Sequence, residues 1–323
     1  MTRPALFVAL LLALAASPAS PAPAATDAAI GLFTIVDGEL TVLRETREFA
    51  AAEGLALRAD DIVRSRAGTR LARIELEGGT VLDLGPSTEL LLQPRAFAVP
   101  ADRGASLYLL RGWLKVTAAN DKGAASVALA SPQLGVARIA GSVVVHVTPQ
   151  ASLVFVERGG SDVFERSEGR PAGARTLKDG DAFAARTAQP GAVMRRPPPD
   201  LIEGLPRGFV DSLPRRAALL QGRNVEPVPG NQPAYADLSP WLHAEAALRP
   251  SFVQRFRPLA REQRFRAGLV AELRAHPEWD RVLFPEKYRP KTAAAVLARR
   301  APPAPAAAPT RAEPALAQGP KLD

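Results

Sequence analysis

Between Gly38 and Gln93 apolar and polar residues alternate in short runs separated by Asp60-Asp61, Gly78-Gly79 and Gly85-Pro86. Period-two alternation sends successive side chains to opposite faces of a strand, so each run predicts a strand with one apolar side. From Ala72 the reading is explicit: Ala72, Ile74 and Leu76 point one way, while Arg73, Glu75 and Glu77 point the other, toward water. Gly78-Gly79 supplies the turn. A two-residue loop sets Ile74 against Asp83 and Leu76 against Val81, whereas one more loop residue sets them against Leu84 and Leu82. A one-residue slip exchanges the faces, so apolar pairing selects the longer loop, with a bulge at glycine.

The same grammar continues to about residue 190. Tyr108, Leu110, Leu114 and Val116 are expected on one face, with Gly112 as a bulge or close backbone approach. Further strands are expected over 126–130, 138–147 and 152–157, then, beyond Gly159-Gly160, over 162–165 and near 182–185. No helical period interrupts them. Strands at this spacing predict a mainly β domain over residues 30–190, either a β-sandwich or a folded solenoid.

The pattern changes after Arg195-Arg196-Pro197-Pro198-Pro199, where consecutive prolines stiffen the chain and end sheet pairing, giving a Pro-rich linker over 191–204. A small helical region is expected over 205–291. Ser239-Pro240 reads as an N-cap with proline at the first helical position, leading into Trp241, Leu242 and Ala246. Phe252, Val253 and Phe256 predict a short helix ending near Pro258. Phe265, Leu269 and Leu273, with Leu259 and Val270, form the apolar stripe of the best helix. A last short helix carries Trp279, Val282 and Leu283, and the aromatics of 276–288 are expected to dock on the molecule itself. From 292 to 323 alanine and proline dominate, predicting a disordered tail.

Three features set the setting. Arg3, the apolar run Ala5–Ala16 and Ala22-Pro23-Ala24 read as a signal peptide over 1–25, cleaved after Ala24 or Ala25. That run is shorter than a bilayer requires, and no later segment supplies a span, so no membrane span is expected in the mature chain. The absence of cysteine excludes disulfides, thiolate metal sites, thiol nucleophiles and a lipidated cysteine. The formal charge is +8, and residues 195–300 hold 19 Lys and Arg against 11 Asp and Glu, so the excess sits in the second half. Such a region suits anionic surfaces, or simply presents arginines on exposed helix faces.

Catalytic chemistry is sparse. The three histidines, His146, His243 and His276, are expected in a strand, a helix and a helix start, with His146 facing water or an edge. Asp60 and Asp61 are adjacent, so on a strand they point apart and do not form a carboxylate pair. Asp179-Gly180-Asp181 reads as a turn. Nucleophile elbows, phosphate loops and dinucleotide fingerprints are missing. The expectation is a non-enzymatic protein with no catalytic, cofactor or metal site. Arg257, Arg261 and Arg264 at i, i+4 and i+7 make one positive helix face, but export disfavours nucleic acid as its partner.

Several segments, in order, resemble the FecR domain: Gly38–Leu43, Leu57–Ser65 with Asp60-Asp61-Ile62-Val63, the Ala72–Leu92 hairpin, Leu110–Leu114, Ser131–Val147 with Ala140-Gly141-Ser142, and Leu177–Asp181. The resemblance covers about residues 35–185. It implies a periplasmic β-rich module that receives a signal from a partner, often an outer-membrane receptor, and passes it to a regulator of an alternative sigma factor. With a cleavable leader in place of a cytoplasmic segment and membrane helix, direct contact with a sigma factor is not expected. The combined reading is a protein-binding or sensor module in the periplasm of a Gram-negative bacterium, part of an envelope signalling or regulatory assembly, with a periplasmic or outer-membrane protein as partner. The alternative is a structural envelope component holding peptidoglycan or anionic glycans through its basic half.

Overall fold

The computed structural model describes residues 28–94, 106–119, 127–167, 170–187, 189–223 and 225–289. The expected leader over 1–25 and tail over 292–323 lie outside the described residues. The strands are β1 (Ala29–Asp37), β2 (Leu40–Arg44), β3 (Arg47–Ala50), β4 (Ala56–Arg58), β5 (Ile62–Ser65), β6 (Leu71–Leu76), β7 (Val81–Leu84) and β8 (Glu89–Leu92). They continue as β9 (Ser106–Thr117), β10 (Ala128–Ala130), β11 (Leu134–Val147), β12 (Ala151–Ser167), β13 (Arg170–Lys178), β14 (Ala182–Arg186), β15 (Gln189–Met194) and β16 (Val228–Pro229). Hydrogen bonds join them into one sheet ordered β15-β14-β12-β11-β10-β9-β8-β5-β2-β3-β16, with β1, β4, β6, β7 and β13 off that path. Leu, Ile, Val and Phe side chains from Phe33 to Ala185 fill one core on its inner side, so the chain is mainly β as the alternation predicts.

Three details depart from the sequence expectations. The loop after β6 does hold three residues, and Gly79 takes φ +76° as a glycine bulge does, but the extra residue is Glu77 rather than Thr80. Ile74 therefore faces Leu82 and not Leu84, a shift of two that leaves both side chains on the core face. In β9, Leu107 and Leu109 face the core before Gly112, whereas Leu114 and Val116 face it afterwards. Gly112, at φ +94°, lets the strand slip phase, so Tyr108 does not share a face with Leu114.

The third departure concerns Gly159-Gly160, which bends a continuous 17-residue strand rather than separating two. Gly159 (φ +86°) lies opposite Gly141 (φ +98°), and a Cβ on Gly159 would sit 1.7 Å from the Ala140 carbonyl oxygen. The two backbones pass too closely for any side chain.

Four residues, 195–198, separate β15 from α1 (Pro199–Gly204); then come α2 (Tyr235–Leu242), α3 (Arg249–Phe256), α4 (Gln263–Ala271) and α5 (Asp280–Leu283). Helix α2 begins four residues before Ser239: the Asp237 carboxylate accepts the Ala234 N–H at 2.8 Å, and Pro240 lies inside the helix. Phe252, Phe256, Phe265, Leu269, Trp279 and Leu283 are buried as the helical pattern requires, but the expected stripe is cut short: α4 ends at Ala271, before Leu273, and Val270 is exposed. Arg257, Arg261 and Arg264 do not share a helix face, because Pro258 and an extended Glu262 divide α3 from α4. Chain contacts set off a second unit from Phe284 onward, in which Lys287 lies 4.2 Å above the Phe284 ring.

Gly159→Ala is expected to lower stability by about 2 kcal/mol or more, since it adds a steric clash to a disfavoured backbone conformation. Gly173→Ala, at φ +61° with no atom within 4 Å, should lose only about 1 kcal/mol. Urea unfolding of the two variants measures the difference, and equal losses would contradict the close approach.

Candidate functional site

The outer face of the sheet carries a charged row. Cross-strand register sets Ile35 beside Arg73, Arg73 beside Asp83, Asp83 beside Lys115, Lys115 beside Val144, and Val144 beside Phe155. The alternation correctly assigns Arg73 and Glu75 to the face opposite Ile74, but that face is not wet. Arg73 and Asp83 are only 5% and 3% exposed. Arg73 meets Asp83 through a fork, Nε donating to Oδ1 at 2.6 Å and Nη2 to Oδ2 at 3.0 Å. Burial pushes the Asp83 carboxyl above the usual range, opposed by Arg73 and Lys115. Beyond Asp83, Lys115 pairs with Glu157 at 2.8 Å, and the Ser142 hydroxyl donates to the same carboxylate oxygen at 2.7 Å.

A strap covers this row. From α1 onward the chain crosses the sheet with Leu201, Leu205 and Phe209 packed beside Leu71, Trp113, Val144 and Leu153 in a second apolar cluster. It then addresses the charged side chains through its own backbone. Lys115 Nζ donates to the Phe209 carbonyl at 2.6 Å, and Arg73 Nη1 to the Leu213 carbonyl at 2.9 Å. Glu75 accepts the Arg216 N–H at 2.7 Å and the Ala217 N–H at 3.2 Å. The Arg216 side chain donates to the Thr34 carbonyl at 3.0 Å. Arg73, Glu75, Asp83 and Lys115 each thus find a partner, which is what permits their burial.

Arginines dock the helices on another part of the sheet. Arg255 donates to the carbonyls of Leu43 (2.7 Å), Glu45 (2.9 Å) and Asp60 (2.6 Å). Arg166, from β12, pairs with Glu245 at 2.8 Å, and Tyr108 meets Trp241 with ring centroids 6.3 Å apart. Desolvation pushes the Tyr108 hydroxyl far above its ordinary range. Two histidines that the sequence separates come together here: the Tyr235 hydroxyl lies 2.9 Å from His276 Nε2 and 3.4 Å from His243 Nε2, with the imidazoles stacked at 5.4 Å. Among the described residues no group of three or more His, Cys, Asp or Glu is placed to hold a metal.

No family model matches the chain, and no curated protein does. Two crystal structures of a proposed anti-sigma factor from Parabacteroides distasonis resemble it in part. They are 17% and 16% identical, cover 42% of this chain and 59% of that one, and give TM-scores of 0.35 and 0.34. This chain therefore spans less than two thirds of their length, and function does not transfer at that distance.

The acidic residues singled out in the sequence have structural settings. Asp61 is buried, gripped by Arg44 (Nε to Oδ1 2.9 Å, Nη2 to Oδ2 2.6 Å) and by the Arg58 N–H, while Asp60 turns through φ +64° to present its carbonyl to Arg255. Asp181 accepts the Lys178 N–H across the expected turn. His146 does not face open water but lies flat on Trp113, centroids 3.8 Å apart. Alternation marks Arg73 and Glu75 as a polar face but does not single out Asp83 or Lys115 as their neighbours, and the strap that makes them a site lies more than ninety residues downstream. No helix among the described residues is long and apolar enough to cross a membrane.

Arg73→Met leaves Asp83 buried without its fork and is expected to lose about 3–5 kcal/mol in urea unfolding, whereas Arg73→Met with Asp83→Leu should recover most of it. An additive double variant would contradict the pairing. Desolvation lowers the affinity of His146 and His276 for protons, and the neighbouring His243 adds to this at His276. Below about pH 6.5 the unfolded chain takes up protons that the folded one resists, so stability is lost as pH falls through that value toward the lower folded ones. The thermal midpoint should drop between pH 7.5 and 5.5, and His146→Phe with His276→Gln should flatten the slope. An unchanged slope would show that neither imidazole is held neutral.

Proposed function

We propose that the chain is a non-enzymatic binding and sensing module of the cell envelope, of the FecR-like kind its segments resemble, engaging a protein partner. The observation that carries this is the exposure of large apolar side chains along one stretch: Ile202 (58%), Val210 (72%), Leu219 (71%) and Val228 (63%). Exposed apolar side chains of this size, interspersed along the sequence with arginines, have the composition of protein-recognition segments. The expected leader directs the module to the periplasm, and its regulatory role follows from the family resemblance.

A second reading, attachment to an anionic wall polymer, rests on Arg257, Arg261 and Arg264, which are all exposed. Affinity capture from envelope extracts with the full chain, beside Ile202→Asp and Leu219→Asp variants, separates the two. A specific protein recovered by the parent and lost at least tenfold with the variants supports the first reading. Capture of no protein, together with salt-sensitive sedimentation with purified cell wall, would replace it by the second.

A further inference from the structure

The contacts between the strap and the charged row have an unusual division of labour. Lys115 and Arg73 reach the carbonyls of Phe209, Leu213 and Pro214, and Glu75 accepts the N–H groups of Arg216 and Ala217. All of these strap atoms are backbone atoms. The side chains of Val210, Asp211, Ser212, Leu213, Pro214 and Arg215 are exposed over the same span. Phe209 and Leu220 are the buried apolar anchors at its two ends. Between the 3-10 turns Arg207–Phe209 and Ala217–Leu220 the strap has no regular secondary structure.

We propose that this face is a peptide-binding groove, occupied in this state by the chain's own residues 209–217, and that an extended segment of a protein partner takes it by displacing them. The inference rests on there being a protein partner, as read above, and places part of its contact beneath the strap rather than on exposed side chains alone. From Phe209 to Pro214 the charged row reads main-chain carbonyls, and of the strap's polar side chains Arg216 adds contacts to the Thr34 carbonyl (3.0 Å) and to Glu53 (3.3 Å), so the row itself demands little of the strap's sequence. The groove requires an extended, proline-containing segment with a bulky apolar residue to enter the Phe209 position beside Leu71, Trp113 and Leu201, and with carbonyls and N–H groups at the spacing Lys115, Arg73 and Glu75 read. Proline suits the Pro214 position, where a carbonyl is used and no N–H is needed. Exchange is favoured over a vacant groove because an uncovered Arg73–Asp83 pair would lose its cap, whereas an incoming backbone replaces the strap's contacts one for one. Few buried side chains hold residues 210–216, so this span opens more readily than the strands beneath it.

The test uses the full chain and a fluorescent synthetic peptide with the sequence of residues 205–220, followed by anisotropy. In the parent the attached strap competes, so the peptide binds weakly. Phe209→Ala weakens the attached strap and leaves the groove intact, so apparent affinity should rise about tenfold as the open fraction grows. Adding Lys115→Met and Glu75→Gln to that variant should abolish the gain. Amide exchange on the parent needs no substitution: saturating peptide should speed exchange at Arg216 and Ala217 by about tenfold or more, with strands β6 and β9 unchanged. Equal or undetectable binding by parent and folded Phe209→Ala chains, or Arg216 and Ala217 amides that exchange only by global unfolding, overturns the groove. A captured envelope protein that still binds the Lys115→Met, Glu75→Gln chain keeps the partner reading but moves it off this face.

Discussion

The buried fork between Arg73 and Asp83 is the constraint on which the outer half of the molecule depends. A sheet that turned these residues to water would need no cover. Here both are sequestered, and isolated charges in such a place are strongly disfavoured unless each polar atom is paired. The fork satisfies Asp83 and part of Arg73, and the remaining guanidinium nitrogen is completed by a carbonyl of the strap. Sheet and strap therefore support each other: the strap has little apolar side-chain burial of its own between Phe209 and Leu220, and its carbonyls and N–H groups complete the charged row.

The same logic explains where the basic residues of the second half go. Arg216, Arg249, Arg255 and Arg266 turn inward onto carbonyls, of Thr34, Ala275, Leu43 and Leu283 among others. A guanidinium with five donors and no acceptor suits strand and helix ends whose carbonyls lack partners. Arg255 uses three such carbonyls at once, two of them from Glu45 and Asp60, residues held at positive φ. The positive excess in this region is in part internal fastening and in part, at Arg257, Arg261 and Arg264, surface.

Local pattern made the inner core legible. Ala72, Ile74, Leu82 and Leu84 were assigned to the core face by alternation, and that assignment survives a two-residue error in register because the side-chain period is two. Alternation reports which side of a strand is polar, but not what lies on top of it, so Arg73 and Glu75 read as solvent-facing. Their cover arrives 140 residues later. Glycine was ambiguous for a related reason: Gly159 serves a close crossing with Gly141, and the same residue type in sequence also marks turns. The site was thus present in the sequence as residue types, while its assembly rests on contacts that no local window contains.

The partners of these contacts lie far apart along the chain: 182 residues separate Arg216 from Thr34, and 212 separate Arg255 from Leu43. An early strand therefore waits for residues about two thirds of the way along the polypeptide before its outer surface is covered. Chains dominated by such distant pairings fold slowly, because loop closure precedes the contacts that reward it. While the N-terminal strands emerge ahead of the strap, their ionic row stays open to solvent and to other chains. Sheet formation and outer-surface completion are separate events in time, and the interval between them is when this chain is most exposed to misassembly.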